Sequence, residues 1–243
     1  MISEIAEKIA SGATVTVLTG AGVSAPSGVP TFRGEDGLWK NFRAEDLATA
    51  EAFEQDPEMV WEWYNWRREL IRKCEPNAAH RILAKWEKKY PNFSLITQNV
   101  DGLHKRAGSK NHILFHGSIW KMKCWDDCEE SPDSWWDEKE YTDIPKCPHC
   151  GGLARPGVVW FGESIDRTVL NDSFEKTKCE LFFSIGTSSL VFPAASLIHE
   201  AHMRGAQTVE INLEECAASS EVDLHLKGSA DEVLEEIDRA IGE

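Results

Sequence analysis

Two sets of residues in this 243-residue chain have types and spacings suited to chemistry. The first is four cysteines in two close pairs, Cys124-x3-Cys128 and Cys147-x2-Cys150. Two thiol pairs, the second flanked by Pro148 and followed by Gly151-Gly152, suit a tetrahedral zinc ion closed by two tight turns. Four thiolates leave no open coordination position, so such a metal would be structural. The wider first pair keeps Asp127 or His149 open as substitute ligands, and free thiols or a Cys147–Cys150 redox pair are the alternatives. Cys74, Cys179 and Cys216 read as small buried residues.

The second set is polar and follows apolar runs. A β-branched stretch at 14–19 stops on Gly20-Ala-Gly-Val-Ser-Ala25, the form of a buried strand turning into a helix start that favours an anion. Gly20-x-Gly22-x-x-Ala25 also fits the permissive dinucleotide fingerprint. Thr97-Gln-Asn-Val-Asp101, His116-Gly-Ser118 and Gly186-Thr-Ser188 repeat the pattern, and Asn212 ends another run. In a wound sheet, ligands lie beyond the carboxyl ends of the strands, so Gln98, Asn99 and Asp101 are expected in one crevice with the glycine loop. His116 at such an edge is a candidate general base, since an imidazole titrates near neutrality. Five such strand ends suggest one extended polar ligand.

The elements that must position these groups follow from periodicity. Six strands are expected at 15–18, 93–97, 113–116, 181–185, 208–211 and 222–226, alternating with helices as in a mostly parallel sheet. The first helix carries Ile2, Ile5 and Ile9 on one side and closes at Gly12. Asp56-Pro57 caps a helix through 59–73, and others are expected at 78–88, at 193–204 before Gly205, and after the capping box Ser229-Ala-Asp-Glu232. The fold class is α/β: a Rossmann-like domain of residues 1–34, 76–119 and 154–243, plus a small domain. The small domain joins a helical module at 35–75, anchored by Trp39 and Phe42, to a zinc-binding module at 120–153. The nucleotide fold is a modified one. Pro26, Gly28 and Pro30 cut the helix after the glycine loop short, and Glu45 and Asp46 follow no strand, so the usual acidic ribose ligand of a hydride-transfer enzyme is missing.

Composition narrows the function. Forty-two per cent apolar and 28% charged residues suit a globular protein. A net charge of −15 argues against nucleic-acid or anionic-membrane binding. The amino terminus lacks the features of a secretory signal and no run is long enough to span a membrane, so a cytoplasmic protein, monomeric by expectation, is anticipated.

Taken together, Gly20–Arg33, Thr97-Gln-Asn-Val-Asp101, Phe115-His-Gly-Ser118, the four cysteines, Pro156-Gly-Val-Val-Trp-Phe-Gly-Glu163 and Gly186-Thr-Ser188 resemble the sirtuin family over nearly the whole chain. The resemblance implies an NAD-dependent protein-lysine deacylase with one structural zinc. By position, Gly20, Ala21 and Gly22 would cradle the pyrophosphate, with Ala25 and Thr31 in the same pocket. Gly186, Thr187, Ser188 and Asn212 would hold the adenosine end, and Ala230 would lie beside the adenine. Phe32, Arg33, Gln98, Asn99 and Asp101 would surround the nicotinamide ribose. NAD would be consumed: the acyl-lysine oxygen attacks C1′ as nicotinamide leaves, with His116 as general base and Asn99 beside it at the reacting centre. The products would be free lysine, nicotinamide and O-acyl-ADP-ribose. Val158, Val159, Phe161, Gly162 and Glu163 would meet the substrate peptide by strand addition. Pro26 stands where the family usually has glutamate.

The helix at 59–73 bears on the acyl group. Val60, Tyr64, Arg67 and Ile71 recur on one stripe, while Arg68 points elsewhere. A guanidinium on an apolar face is costly unless an anion pairs with it; a carboxylate in the substrate would serve, as would an internal Asp or Glu. Tyr64-x-x-Arg67 also resembles the motif of class III sirtuins, and Ala48 their small pocket residue. Desuccinylase and demalonylase activity, with weaker deacetylation, is therefore expected. The rivals are a protein ADP-ribosyltransferase and a non-catalytic NAD-sensing module.

Overall fold

The computed structural model describes residues 1–30, 43–216 and 218–242. In chain order they form α1 (Ile2–Ala10), β1 (Val15–Thr19), two 3-10 turns (Ala21–Val23 and Ala25–Ser27), α2 (Ala44–Leu47), α3 (Ala50–Gln55), α4 (Pro57–Lys73) and α5 (Ala78–Lys89). There follow β2 (Phe93–Thr97), α6 (Leu103–Ala107), β3 (Ile113–Leu114), β4 (Gly117–Cys124), β5 (Trp135–Trp136), β6 (Ala154–Val158) and α7 (Arg167–Glu175). The chain ends with β7 (Leu181–Ile185), α8 (Ser196–Met203), β8 (Gln207–Asn212), β9 (Leu224–Lys227) and α9 (Ala230–Gly242).

Six strands pair in parallel in the order β3-β2-β1-β7-β8-β9, the wound sheet that the alternation of elements predicts. From β1 the chain winds outward to β3, then crosses to β7 and winds the other way. The reversal between β1 and β7 is the point where such sheets open a ligand crevice. Both faces of the sheet are covered, so β1 and β7 are buried throughout. On one face Val15, Val17, Leu181 and Phe183 meet Ile5, Ile9, Leu83, Trp86, Leu234 and Ile237 from α1, α5 and α9. On the other, Leu18 and Phe182 meet Leu197, Ile198 and Ala201 of α8.

Caps place the helices. The Asp56 carboxylate accepts the Met59 amide at 2.9 Å with Pro57 in the first turn of α4, and Asn77 accepts the His80 amide at the start of α5. The expected strand at 113–116 stops at Leu114, because Gly117, at φ 77°, turns the chain into β4. The expected strand at 222–226 shifts to Leu224–Lys227, since the Asp223 carboxylate is tied to the Thr208 amide and hydroxyl instead of pairing in register. The helix expected from 193 begins at Ser196.

A second, antiparallel sheet of order β5-β4-β6 has no counterpart in the periodicity reading. With α2, α3 and α4 it encloses a separate apolar cluster built on Phe53, Trp61, Trp63, Tyr64, Trp120, Met122 and Trp160. Residues 154–158, grouped by sequence with the large domain, pair with β4, and Ala154, Val158 and Trp160 pack in this cluster. Trp39 and Phe42 lie outside the described residues.

The helix layer over the first face is expected to carry much of the stability. Truncating Leu234, fully buried on α9, to alanine leaves a cavity and should cost about 2–5 kcal/mol, read as a lower urea midpoint at unchanged slope.

Candidate active site

The crevice starts where two strand-end turns interlock. A Cβ on Gly20 would stand 2.7 Å from the Gly186 carbonyl oxygen, and one on Gly22 would stand 2.7 Å from the Gly186 Cα. Gly186 itself has φ 61°, and a Cβ there would meet the Val23 amide nitrogen at 2.5 Å. The loop after β1 is two 3-10 turns, and the amides of Gly20, Gly22, Val23 and Ser24 donate to the carbonyls of Ile185, Gly186, Gly20 and Ala21. Those four amides are committed to the fold, unlike the open helix start anticipated from sequence. Ala25 is exposed, so the third fingerprint position does not pack a helix on the sheet.

Side chains stitch the turns together. Gln98 Nε2 donates to Thr187 Oγ1 at 3.1 Å, and Asn212 Nδ2 donates to the Thr187 carbonyl at 2.8 Å. Ser188 is half-buried in the same turn, and Ala230 is buried at the first position of α9. The ends of β1, β2, β7 and β8 thus bring Gly20, Ala21, Gly22, Gln98, Thr187 and Asn212 together. Thr31, Phe32 and Arg33 lie outside the described residues.

The floor beside this seam is buried and polar. Asn99 Nδ2 donates to the Gly20 carbonyl at 2.9 Å and contacts Ser24 Oγ at 3.2 Å. Ser24 Oγ donates to Asp101 Oδ2 at 2.7 Å, and the Leu103 amide donates to Asp101 Oδ1 at 2.8 Å. Burial pushes the Asp101 carboxyl above its ordinary value, opposed by those two bonds and by the charge of Arg67. His80 lies 3.3 Å from Ser24 Oγ, and His104 lies 3.0 Å from the Thr19 hydroxyl. Burial keeps both imidazoles neutral, His80 being pulled down to about 4. Sequence reasoning missed Ser24, His80, His104 and Thr19. Ser24 stood inside the glycine motif, but His80 and His104 read as ordinary helical residues.

His116 follows β3, with Nδ1 3.2 Å from the Gln98 carbonyl oxygen. A carbonyl only accepts, so Nδ1 carries the proton and Nε2 keeps its lone pair. Burial lowers its pKa, opposed by that bond, and the ring stays neutral at pH 7.

Tyr64 and Arg67 face this region from α4. Tyr64 is buried and Arg67 half-buried, with its guanidinium 5.1 Å from the centre of the Trp63 ring. Burial pulls Arg67 below its ordinary value, and Tyr64 and Asp101 oppose that pull. Arg68 turns into the small domain instead, where Nε donates to the Ile119 carbonyl at 2.8 Å. Ala48 is nearly buried, and its carbonyl accepts the Phe161 amide at 2.9 Å. Along the 158–163 segment, Val158 is buried, the Val159 amide donates to the His116 carbonyl, and Phe161 and Gly162 are exposed. Glu163 turns inward: its carboxylate pairs with Arg155 and accepts the Trp160 amide at 2.8 Å.

The four cysteines of the zinc reading come together, with their sulfurs all within 4.8 Å of one another. Two of the separations are 3.7 and 3.8 Å, for Cys124–Cys150 and Cys128–Cys147. A tetrahedron with Zn–S bonds of about 2.3 Å has edges of about 3.8 Å, so the set fits zinc. Asp127 and His149 are not in the set, and none of these cysteines is paired in a disulfide.

Comparison with known proteins agrees with this geometry. Residues 20–193 match the Sir2 family. The chain belongs to that family. The NAD-dependent protein deacylase of Aquifex aeolicus is 50% identical to this Sir2 protein over 229 residues, covering 92% of this chain and 93% of the relative. That of Pyrococcus furiosus is 44% identical over 241 residues, covering 96% and 95%. Among solved structures, a Sir2 homologue in complex with NAD superposes with a TM-score of 0.91 at 43% identity, covering 98% of this chain and 93% of that one. A Sir2 protein holding a deacetylated p53 peptide and 3′-O-acetyl-ADP-ribose superposes with a TM-score of 0.83 at 31% identity, covering 98% and 97%.

Two outcomes are expected. The acid limb of kcat/KM should have its midpoint below the ordinary histidine value of about 6.5, because a base with a lowered pKa stays unprotonated to lower pH; a midpoint above that value would contradict the assignment of His116. Chelation should release one zinc per chain, measured colorimetrically, and should change the near-ultraviolet signal of Trp125, which directly follows Cys124.

Proposed function

We infer that this Sir2 protein is an NAD-dependent protein deacylase whose preferred substrates are lysines carrying an acidic acyl group, succinyl or malonyl, with acetyl a weaker one. The observation that carries the acyl preference is the pairing of Tyr64 with Arg67 on one helical stripe, a phenol beside a half-buried cation. A planar guanidinium with a neighbouring hydroxyl suits a carboxylate, whereas a neutral acetyl group offers it no counter-charge. Ala48 adds room at the segment that meets Phe161.

The residues support the following division of work. NAD, when bound, supplies an electrophilic ribose carbon that is uncovered as nicotinamide leaves. Gly20, Gly22 and Gly186 leave no space for side chains at the seam, which fits a ligand lying close to the backbone. Ala21 would join Gly20 and Gly22 at the pyrophosphate, with Ala25 and Thr31 in the same pocket; Thr187, Ser188, Asn212 and Ala230 would line the adenosine half, and Phe32, Arg33, Gln98, Asn99 and Asp101 the nicotinamide half. His116 Nε2 would take a proton from a ribose hydroxyl, its neutral state maintained by burial. Val158, Val159, Phe161, Gly162 and Glu163 would meet the substrate peptide, with Phe161 and Gly162 exposed. Zinc on the four cysteines would hold the small domain together without touching the reaction. Among the described residues no helix is long and apolar enough to cross a membrane, and the net charge of −15 favours a peptide over a nucleic acid as partner.

Replacing Arg67 with methionine keeps an unbranched apolar stem and removes the guanidinium and its charge. Catalytic efficiency on a succinyl-lysine peptide should fall by ~2–4 kcal/mol in transition-state terms, while the acetyl version of the same peptide changes little. A preference for acetyl that this substitution leaves untouched would refute the acyl assignment.

A further inference from the structure

We propose that Trp160 is a positioning residue for acyl selectivity, holding the Tyr64 hydroxyl so that its proton is presented to an acidic acyl group. The inference rests on the acyl reading above and adds a residue to it. Trp160 Nε1 lies 2.8 Å from the Tyr64 oxygen, and both side chains are buried. An indole N–H can only donate, so the phenol oxygen is the acceptor in this bond. Its own proton must then point away from Trp160. Among the described residues none accepts that proton. Tyr64 and Arg67 are three residues apart on α4 and share its face, so a carboxylate meeting the Arg67 cation lies within reach of a phenol whose hydrogen is already turned outward.

The indole is held in turn. The Arg155 guanidinium carbon sits 3.6 Å from the centre of the Trp160 ring, and Phe53 and Trp125 pack at ring separations of 5.4 and 6.2 Å. Arg155 is fixed by Glu163 and by the Val158 carbonyl, at 2.8 Å, and Glu163 also accepts the Trp160 amide. This gives the indole a single orientation, so the tyrosine oxygen keeps its lone pair engaged before any substrate arrives. An acetyl group carries no acceptor at that distance along the chain and is indifferent to the arrangement. An acidic acyl group meets a donor whose ordering entropy is already spent.

The test is a double-mutant cycle on matched succinyl- and acetyl-lysine peptides. Trp160→Phe should lower kcat/KM for the succinyl peptide about tenfold, mainly through KM, and leave the acetyl value within about twofold. In a Tyr64→Phe background the same substitution should have no further selective effect. Equal losses on both peptides, or a selective loss that persists without the Tyr64 hydroxyl, would overturn the inference. Arg67→Met, measured alongside, separates the two readings: if it abolishes the succinyl preference while Trp160→Phe does not, the inference about Trp160 fails alone. Should Trp160→Phe not fold, 3-benzothienylalanine at position 160 keeps the bicyclic ring and removes the N–H, and the same ratio decides.

Discussion

The contact of Gly20 and Gly22 with the Gly186 turn governs the rest of the structure. Parallel strands that diverge at a winding reversal open a gap at their carboxyl ends, and here the two turns bordering the gap meet backbone to backbone. Any side chain at these positions would push the turns apart. Because they interlock, Gln98 and Asn212 reach Thr187 from β2 and β8, and four strand ends become one rigid rim. Asn99 then spans back to the Gly20 carbonyl, so the polar floor is fastened to the same glycines.

Two kinds of support meet at that rim. The glycine-loop side is built from hydrogen bonds between buried side chains, Asn99, Ser24, Asp101 and His80, each restricting the next. The side facing Tyr64 is built from rings, with Trp160 bonded to the Tyr64 hydroxyl and packed against Phe53, and Trp125 linking Phe53 to the cysteine cluster. Hydrogen-bonded networks fix direction, and packed rings fix position with little dependence on direction. On the proposed reading, the partition suits a site that would orient a sugar on one side and house a chain of methylenes up to its terminal charge on the other.

Much of this was legible in the sequence, for physical reasons that differ by element. The central strands announce themselves because a parallel sheet buried on both faces needs uninterrupted β-branched and aromatic runs, as at 15–19 and 181–185. The helix starting at Pro57 was set by a local cap, which sequence states directly. The strands β4 and β6 were not legible: they are held by each other across some thirty intervening residues, and short alternating runs such as Ile119-Trp-Lys-Met122 look alike in loops and strands. The four cysteines could be paired from spacing because thiolates converge on a metal. His80 and Trp160 could not be linked to Ser24 and Tyr64, since those pairs are made only by tertiary packing.

If the proposed acyl preference holds, the charges at the seam bear on how an acidic acyl group and a cationic nicotinamide would share one pocket. Asp101 and Arg67 are each shifted by burial toward their neutral forms, and each opposes the other's shift. A low-dielectric site that already holds one anion and one cation tolerates a further charge badly, but it tolerates a further pair. On the acyl reading, substrate carboxylate and pyridinium enter as such a pair. A neutral acyl group brings the pyridinium alone, and a lone added cation beside Arg67 is the less favourable load. Selectivity then comes partly from the balance of the whole pocket, with Tyr64 and Arg67 as its local expression.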